Sequence, residues 1–83
     1  MHRATSRFWT CFTNLSADVQ NIARKNYVLL KDNPHHPSLR FKKVGKFWSA
    51  RVGLTHRALA VEDGDGFIWV WIGTHDEYQR MIR

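Results

Sequence analysis

The stretch Trp48–Tyr78, WSARVGLTHRALAVEDGDGFIWVWIGTHDEY, decides the fold. The run Phe47–Gly53 alternates Trp48, Ala50 and Val52 with Ser49 and Arg51, the period-two pattern of a half-buried strand. A second run, His56–Val61, lies between Gly53-Leu54-Thr55 and Glu62-Asp63-Gly64-Asp65-Gly66. The Asp-Gly pairs are hairpin punctuation, because glycine takes positive φ without a Cβ penalty. The third run, Phe67–Ile72, is apolar throughout and rich in β-branched and aromatic residues, so it reads as a central strand covered on both faces. In a regular strand Trp69 and Trp71 share one side, with Ile68, Val70 and Ile72 on the other.

The loop between the first two strands sets which residues face each other. A three-residue loop, Gly53-Leu54-Thr55, places Val52 opposite His56 and Arg51 opposite Arg57. Like charges so placed destabilise a sheet by up to about 1 kcal/mol, so the pair makes sense where an anion sits between them. A two-residue loop shifts the pairing by one and sends the arginines to opposite faces. The sequence permits both.

After the third strand, Thr74-His75-Asp76-Glu77 fits the capping box, with Thr74 as N-cap and Glu77 reaching back to its amide. His75 falls in the first turn and Tyr78 three residues on. The positive helix terminus and nearby Arg51 or Arg57 favour neutral imidazole, while Asp76 and Glu77 favour the charged form. A neutral histidine beside phosphate-binding arginines is what a general base requires. The plainer reading of His75 is a surface position in a first turn.

Outward from this stretch the chain is short. Its 83 residues suit one domain, 1–83, with a modest core. No apolar run approaches the roughly 20 residues of a membrane span, and Met1-His2-Arg3 shows no secretory signal. Cys11 is the single cysteine and falls on an apolar helical stripe, as in a protein of the reducing cytoplasm. One cysteine and scattered histidines give no metal-ligand spacing, so neither a metal nor a cofactor is expected.

Phe8, Cys11, Phe12 and Leu15 recur at helical spacing in Thr5–Asn14, with Thr5 or Ser6 as cap. Ser16 caps a second helix, about Ala17–Lys31, which turns Val19, Ile22, Ala23, Leu29 and Leu30 to a core. Asn33-Pro34 ends it. The two helices read as an antiparallel hairpin in which Phe8, Trp9, Phe12 and Tyr27 are core residues. His35–Ser38 reads as a loop and Leu39–Val44 as a first strand.

Charge is uneven. Between Asp32 and Glu62 there is no acid, while Arg40, Lys42, Lys43, Lys46, Arg51 and Arg57 all lie in that interval, so the net charge of +6 concentrates there. Such a surface points to nucleic acid or another polyanion, with a solvated strand face as the plainer alternative.

Two helices, a basic strand, W-S-x-R-V, R-A-L and then W-x-W-I-G-T-H-x-E-Y resemble the RelE/ParE superfamily of bacterial toxins from toxin–antitoxin pairs. The likeness covers nearly the whole chain. It is sharpest at Asn33–Leu39, Trp48–Val52 and Ile72–Tyr78. The resemblance implies an α+β fold: an N-terminal helical hairpin packed on one face of a small twisted antiparallel sheet of about four strands, with a short C-terminal helix. It implies a cytoplasmic toxin that joins a cognate antitoxin in a hetero-oligomer and acts on mRNA on the ribosome. RelE-like members cleave without a metal, by attack of a ribose 2′-OH on the adjacent phosphate. By position, Arg57 matches the family's phosphate-binding arginine and Arg51 a nearby basic residue. His75 falls where members place an arginine or histidine, and Tyr78 where a tyrosine stacks on a base or orients the reacting group. Arg40, Lys42, Lys43 and Lys46 form the expected RNA-binding set. The best-known members carry two strand lysines, and Ser49 stands at one of those positions. His56 is a second candidate base, on the strand side opposite Arg57. The superfamily also contains gyrase-inhibiting toxins, so a non-cleaving toxin or a catalytically silent nucleic-acid-binding relative are the alternatives.

Overall fold

The computed structural model describes residues 2–82. The chain opens with a short strand, β1 (His2–Ala4), followed by helices α1 (Ser6–Thr13) and α2 (Ala17–Asp32). A 3-10 turn (Pro37–Leu39) leads into strands β2 (Lys42–Val44), β3 (Phe47–Val52), β4 (His56–Asp63) and β5 (Gly66–Thr74). Helix α3 (His75–Met81) follows. The five strands form one sheet in the order β1-β5-β4-β3-β2. Its β2–β5 part is the antiparallel meander that the sequence predicts. The fifth strand, β1, is an addition: it pairs parallel with β5, with His2 opposite Phe67 and Ala4 opposite Trp69. Three residues are too few to show a period, and their partners lie far along the chain.

The helices start where short polar side chains satisfy free amides. Thr5 Oγ1 accepts from Phe8 N at 3.1 Å, and Thr5 N donates to Trp69 O at 3.0 Å, which ties the start of α1 to β5. Ser16 Oγ accepts from Val19 N at 3.3 Å at the head of α2. The corner between the helices is held by Gln20, whose Nε2 donates to Phe12 O and Leu15 O at the end of α1; Phe12 O also accepts from Leu15 N.

Entry to the sheet departs from the expected Leu39–Val44 strand. Leu39 ends the 3-10 turn and is buried, and Arg40 takes a left-handed conformation (φ 44°) that no strand allows. His36 Nδ1 accepts from Ser38 N at 3.2 Å and caps this turn, so pairing begins only at Lys42.

The inner face of the sheet carries α1 and α2. Ala50, Val52, Ala58, Ala60, Trp69 and Ile72 pack there with Phe12, Leu30 and Leu39. The outer face carries a smaller cluster of Leu59, Trp71 and Tyr78. Trp69 and Trp71 therefore lie on opposite faces, against the regular alternation. The cause is a β-bulge: Leu59 pairs with Trp71 but Ala60 with Trp69, so Val70 is an extra residue that reverses the alternation. The helix layer also differs from expectation in packing. Phe12 is buried, but Trp9 is 53% exposed and Tyr27 41%.

Candidate active site on the outer face of the sheet

The three-residue loop forms. Val52 pairs with His56 and Arg51 with Arg57, and Gly53 opens the loop at φ 64°, where a Cβ is disfavoured. Arg57 in turn pairs with Gly73 on β5. Arg51, Arg57 and Gly73 thus form one row across the outer face, with Ser49, Leu59 and Trp71 in the next row. His56 lies on the inner face, away from the arginines.

Gly73 is required by its neighbours. A Cβ there would run into the Trp71 indole and the Glu77 carboxylate, so the indole lies over the glycine beside Arg57. The N-terminus of α3 is fixed by the expected capping box: Glu77 N donates to Thr74 Oγ1 at 3.2 Å, and Thr74 N donates to Glu77 Oε1 at 2.9 Å. These bonds to Thr74, backbone first, hold the Glu77 carboxyl below its ordinary range. His75 N donates to Thr55 O at 2.8 Å, which fastens the helix start to the arginine hairpin.

Through this anchoring Tyr78 reaches the row. The Arg57 guanidinium carbon lies 5.2 Å from the centre of the Tyr78 ring, a cation–π distance. The His75 and Tyr78 ring centres are 5.9 Å apart. Tyr78 is only 3% exposed and packs with Leu59 and Trp71. Such a ring offers no free face on which a base could stack.

Two buried polar side-chain atoms among the described residues have no hydrogen-bond partner, Arg57 Nη1 and Ser49 Oγ. Both belong to outer-face residues, diagonal to one another across β3 and β4. A buried donor left unpaired is costly, and more so on a cation. The sequence alone gives no sign that Ser49 shares this property. Arg51 Nε donates to Gly53 O at 3.0 Å. His75 Nε2 lies 3.0 Å from Gln79 Nε2.

The four basic residues before β3 do not share one surface. Lys42 pairs with Ser49 and shares the outer face with the arginines. Lys43 pairs with Trp48 on the inner side, where its amine lies 3.7 Å from Glu62. Lys46 sits in the β2–β3 turn over the Phe47 ring, and Arg40 is exposed beside the 3-10 turn. No group of three or more His, Cys, Asp or Glu side chains placed to hold a metal occurs among the described residues. No helix is long and apolar enough to cross a membrane.

The two-helix layer on one face of a meander is an architecture shared with solved structures of bacterial and archaeal toxins. The chain has the RelE/ParE toxin fold. It is similar to a YoeB/ParE toxin from Agrobacterium tumefaciens, with TM-score 0.69, 14% identity, and coverage of 89% of this chain and 96% of that one. A chain of the RelB–RelE antitoxin–toxin complex from Methanococcus jannaschii gives TM-score 0.75 at 12% identity, covering 98% of this chain and 99% of that one. YafQ from E. coli gives 0.74 at 12% identity, covering 94% and 96%. No protein-family profile and no curated protein matches the sequence.

Proposed function

We propose that this protein is the toxin of a toxin–antitoxin pair and cuts mRNA on the ribosome by attack of a ribose 2′-OH on the adjacent phosphate. The observation that carries the reading is Arg57: a guanidinium held by Tyr78, opposite Arg51, with a buried nitrogen that lacks a partner. Arg57 as a whole is partly exposed, and the planar guanidinium fork suits a phosphate oxygen.

In this mechanism His75 takes the proton of the 2′-OH as its oxygen bonds to phosphorus. Arg57 and Arg51 stabilise the charge that builds on the phosphate oxygens. The bond to the 5′-oxygen breaks, that oxygen receives a proton, and the products are a 2′,3′-cyclic phosphate and a 5′-hydroxyl. Tyr78 fixes the Arg57 guanidinium, and Lys42 supports the RNA backbone as a point charge. The chemistry calls for a base, cations and an acid, and no metal. The partner is an acidic antitoxin, as the acid-free basic interval favours, and the setting is the cytoplasm.

Primer extension on mRNA from a translating extract, with and without ribosomes, tests the proposal. Ribosome-dependent cuts within codons that vanish with Arg57→Ala support it. Cuts without ribosomes keep the nuclease and remove the ribosome step. A folded, toxic protein that makes no cuts points to gyrase or another target.

A further inference from the structure

The proposed reaction gives His75 a proton to carry, and its ring has one hydrogen-bond partner among the described residues, Gln79. The two stand four residues apart on α3, the spacing that brings side chains together on one helix face. Gln79 Nε2 lies 3.0 Å from His75 Nε2. His75 is half-buried and Gln79 is exposed.

This contact dictates where the ring proton sits. A neutral imidazole has one N–H donor and one bare nitrogen that accepts, while an amide nitrogen only donates. With the Gln79 amide nitrogen at hydrogen-bond distance, His75 Nε2 is the accepting nitrogen and Nδ1 carries the proton. No other group competes for the choice. The Glu77 carboxylate is taken up by Thr74 N and Oγ1, and no ion pair involving His75 occurs among the described residues. Asp76, Tyr78 and Arg80 are its other titratable neighbours on α3. The sheet adds Arg51 and Arg57, which face each other, and His56, which pairs with Thr74. None of these is hydrogen-bonded to the ring, which leaves its tautomer to Gln79.

We infer that Gln79 is a positioning residue for the proposed cleavage: its amide selects the Nδ1–H tautomer of His75 and so makes Nε2 the nitrogen that receives the 2′-OH proton. The inference rests on the reading of His75 as the base. In the attack the hydroxyl takes the place of the amide at Nε2. Its proton moves to that nitrogen, and the electron pair left on the oxygen forms the bond to phosphorus. The ring is then an imidazolium with a donor at each nitrogen. A half-turn of the Gln79 amide presents Oε1 to the new N–H, so one side chain serves the ring before and after the transfer. Holding a histidine in the productive tautomer is what the carboxylate does in a serine-protease triad.

The test reads the tautomer directly, without RNA. Long-range proton–nitrogen correlation spectra of isotope-labelled protein, taken above the pH range in which histidine titrates, distinguish the two ring nitrogens. Wild type is expected to show a protonated Nδ1 and a bare Nε2 at His75. Gln79→Leu removes the donor and should let the proton spread over both nitrogens. Gln79→Glu, which only accepts, should draw it to Nε2. Cleavage on the ribosome supplies the second readout. Gln79→Leu should lower kcat about 2- to 10-fold with KM unchanged, the worth of one neutral hydrogen bond. Gln79→Glu should move the acid limb of the pH–rate profile to higher pH, because its carboxylate stabilises the imidazolium. A wild-type ring protonated at Nε2, or a tautomer that Gln79→Leu leaves unchanged, overturns the inference. So does a changed tautomer with kcat unaltered. A protein that cuts no RNA overturns the nuclease reading instead, while the spectra alone still decide whether Gln79 sets the tautomer.

Discussion

Arg51 and Arg57 stand directly opposite each other across β3 and β4, on the face of the sheet that α1 and α2 leave free. Two cations in this position work against the sheet and in favour of an anion. Arg51→Ala is therefore expected to stabilise the free protein by a few tenths to about 1 kcal/mol while lowering RNA cleavage. Thermal melts beside cleavage assays check both. A variant that is less stable and fully active contradicts the account.

Arg57→Ala removes the guanidinium on which the proposed reaction depends. Cleavage should fall about 100- to 1,000-fold, the usual loss when one charge-stabilising donor is removed. Arg57→Lys restores little, since an ammonium lacks the planar fork and stacks poorly on Tyr78. Single-turnover cleavage rates on protein shown to be folded by circular dichroism decide the matter.

Tyr78 separates packing from chemistry. Tyr78→Phe keeps the ring against Arg57 and should retain most activity, whereas Tyr78→Ala should cost about 3–5 kcal/mol of stability, as for other large aromatic truncations. Urea denaturation measures the second effect. If Tyr78→Phe abolishes cleavage without loss of stability, the hydroxyl takes part in the reaction.

Gly73→Ala places a methyl group against the Trp71 indole and the Glu77 carboxylate. Overpacking of this kind should destabilise by about 1–3 kcal/mol. It should also disturb Arg57, which pairs with Gly73. Denaturation midpoint and cleavage are expected to fall together, and an unchanged midpoint would show that Trp71 moves freely.

Two groups give the stability a dependence on pH. His2 accepts a hydrogen bond from Trp69 Nε1 at 3.1 Å and stacks on Phe67 and Trp69. Burial, and after it nearby positive charge including Lys31, lowers its pKa. A lowered histidine pKa means the folded state prefers the neutral ring. The stability is present above about pH 6.5 and is lost as pH falls from there through the folded value. Glu77 behaves likewise in the carboxylate range: its contribution holds above the ordinary glutamate value and fades as pH falls through the lowered one. Melting curves from neutral to acid pH should show two steps of loss. His2→Phe should remove the upper and Glu77→Gln the lower.

The sequence by itself determined the features that arise from neighbours along the chain. Thr5, Ser16 and Thr74 each supply an oxygen to an amide three residues ahead, so the starts of α1, α2 and α3 were legible. The meander was legible too, because alternation and glycine punctuation act over a few residues. Arg51, Arg57, His75 and Tyr78 were candidates from their places in that meander together with the family resemblance. The tertiary structure decided what depends on distant partners. The parallel pairing of β1 with β5, the bulge that turns Trp69 and Trp71 to opposite faces, and the three-residue choice of loop at Gly53 are settled by packing against other strands. So is the burial of Arg57 Nη1 and Ser49 Oγ. Local hydrogen bonds are encoded in adjacent residues; burial and register are properties of the assembled layers, and no local pattern carries them.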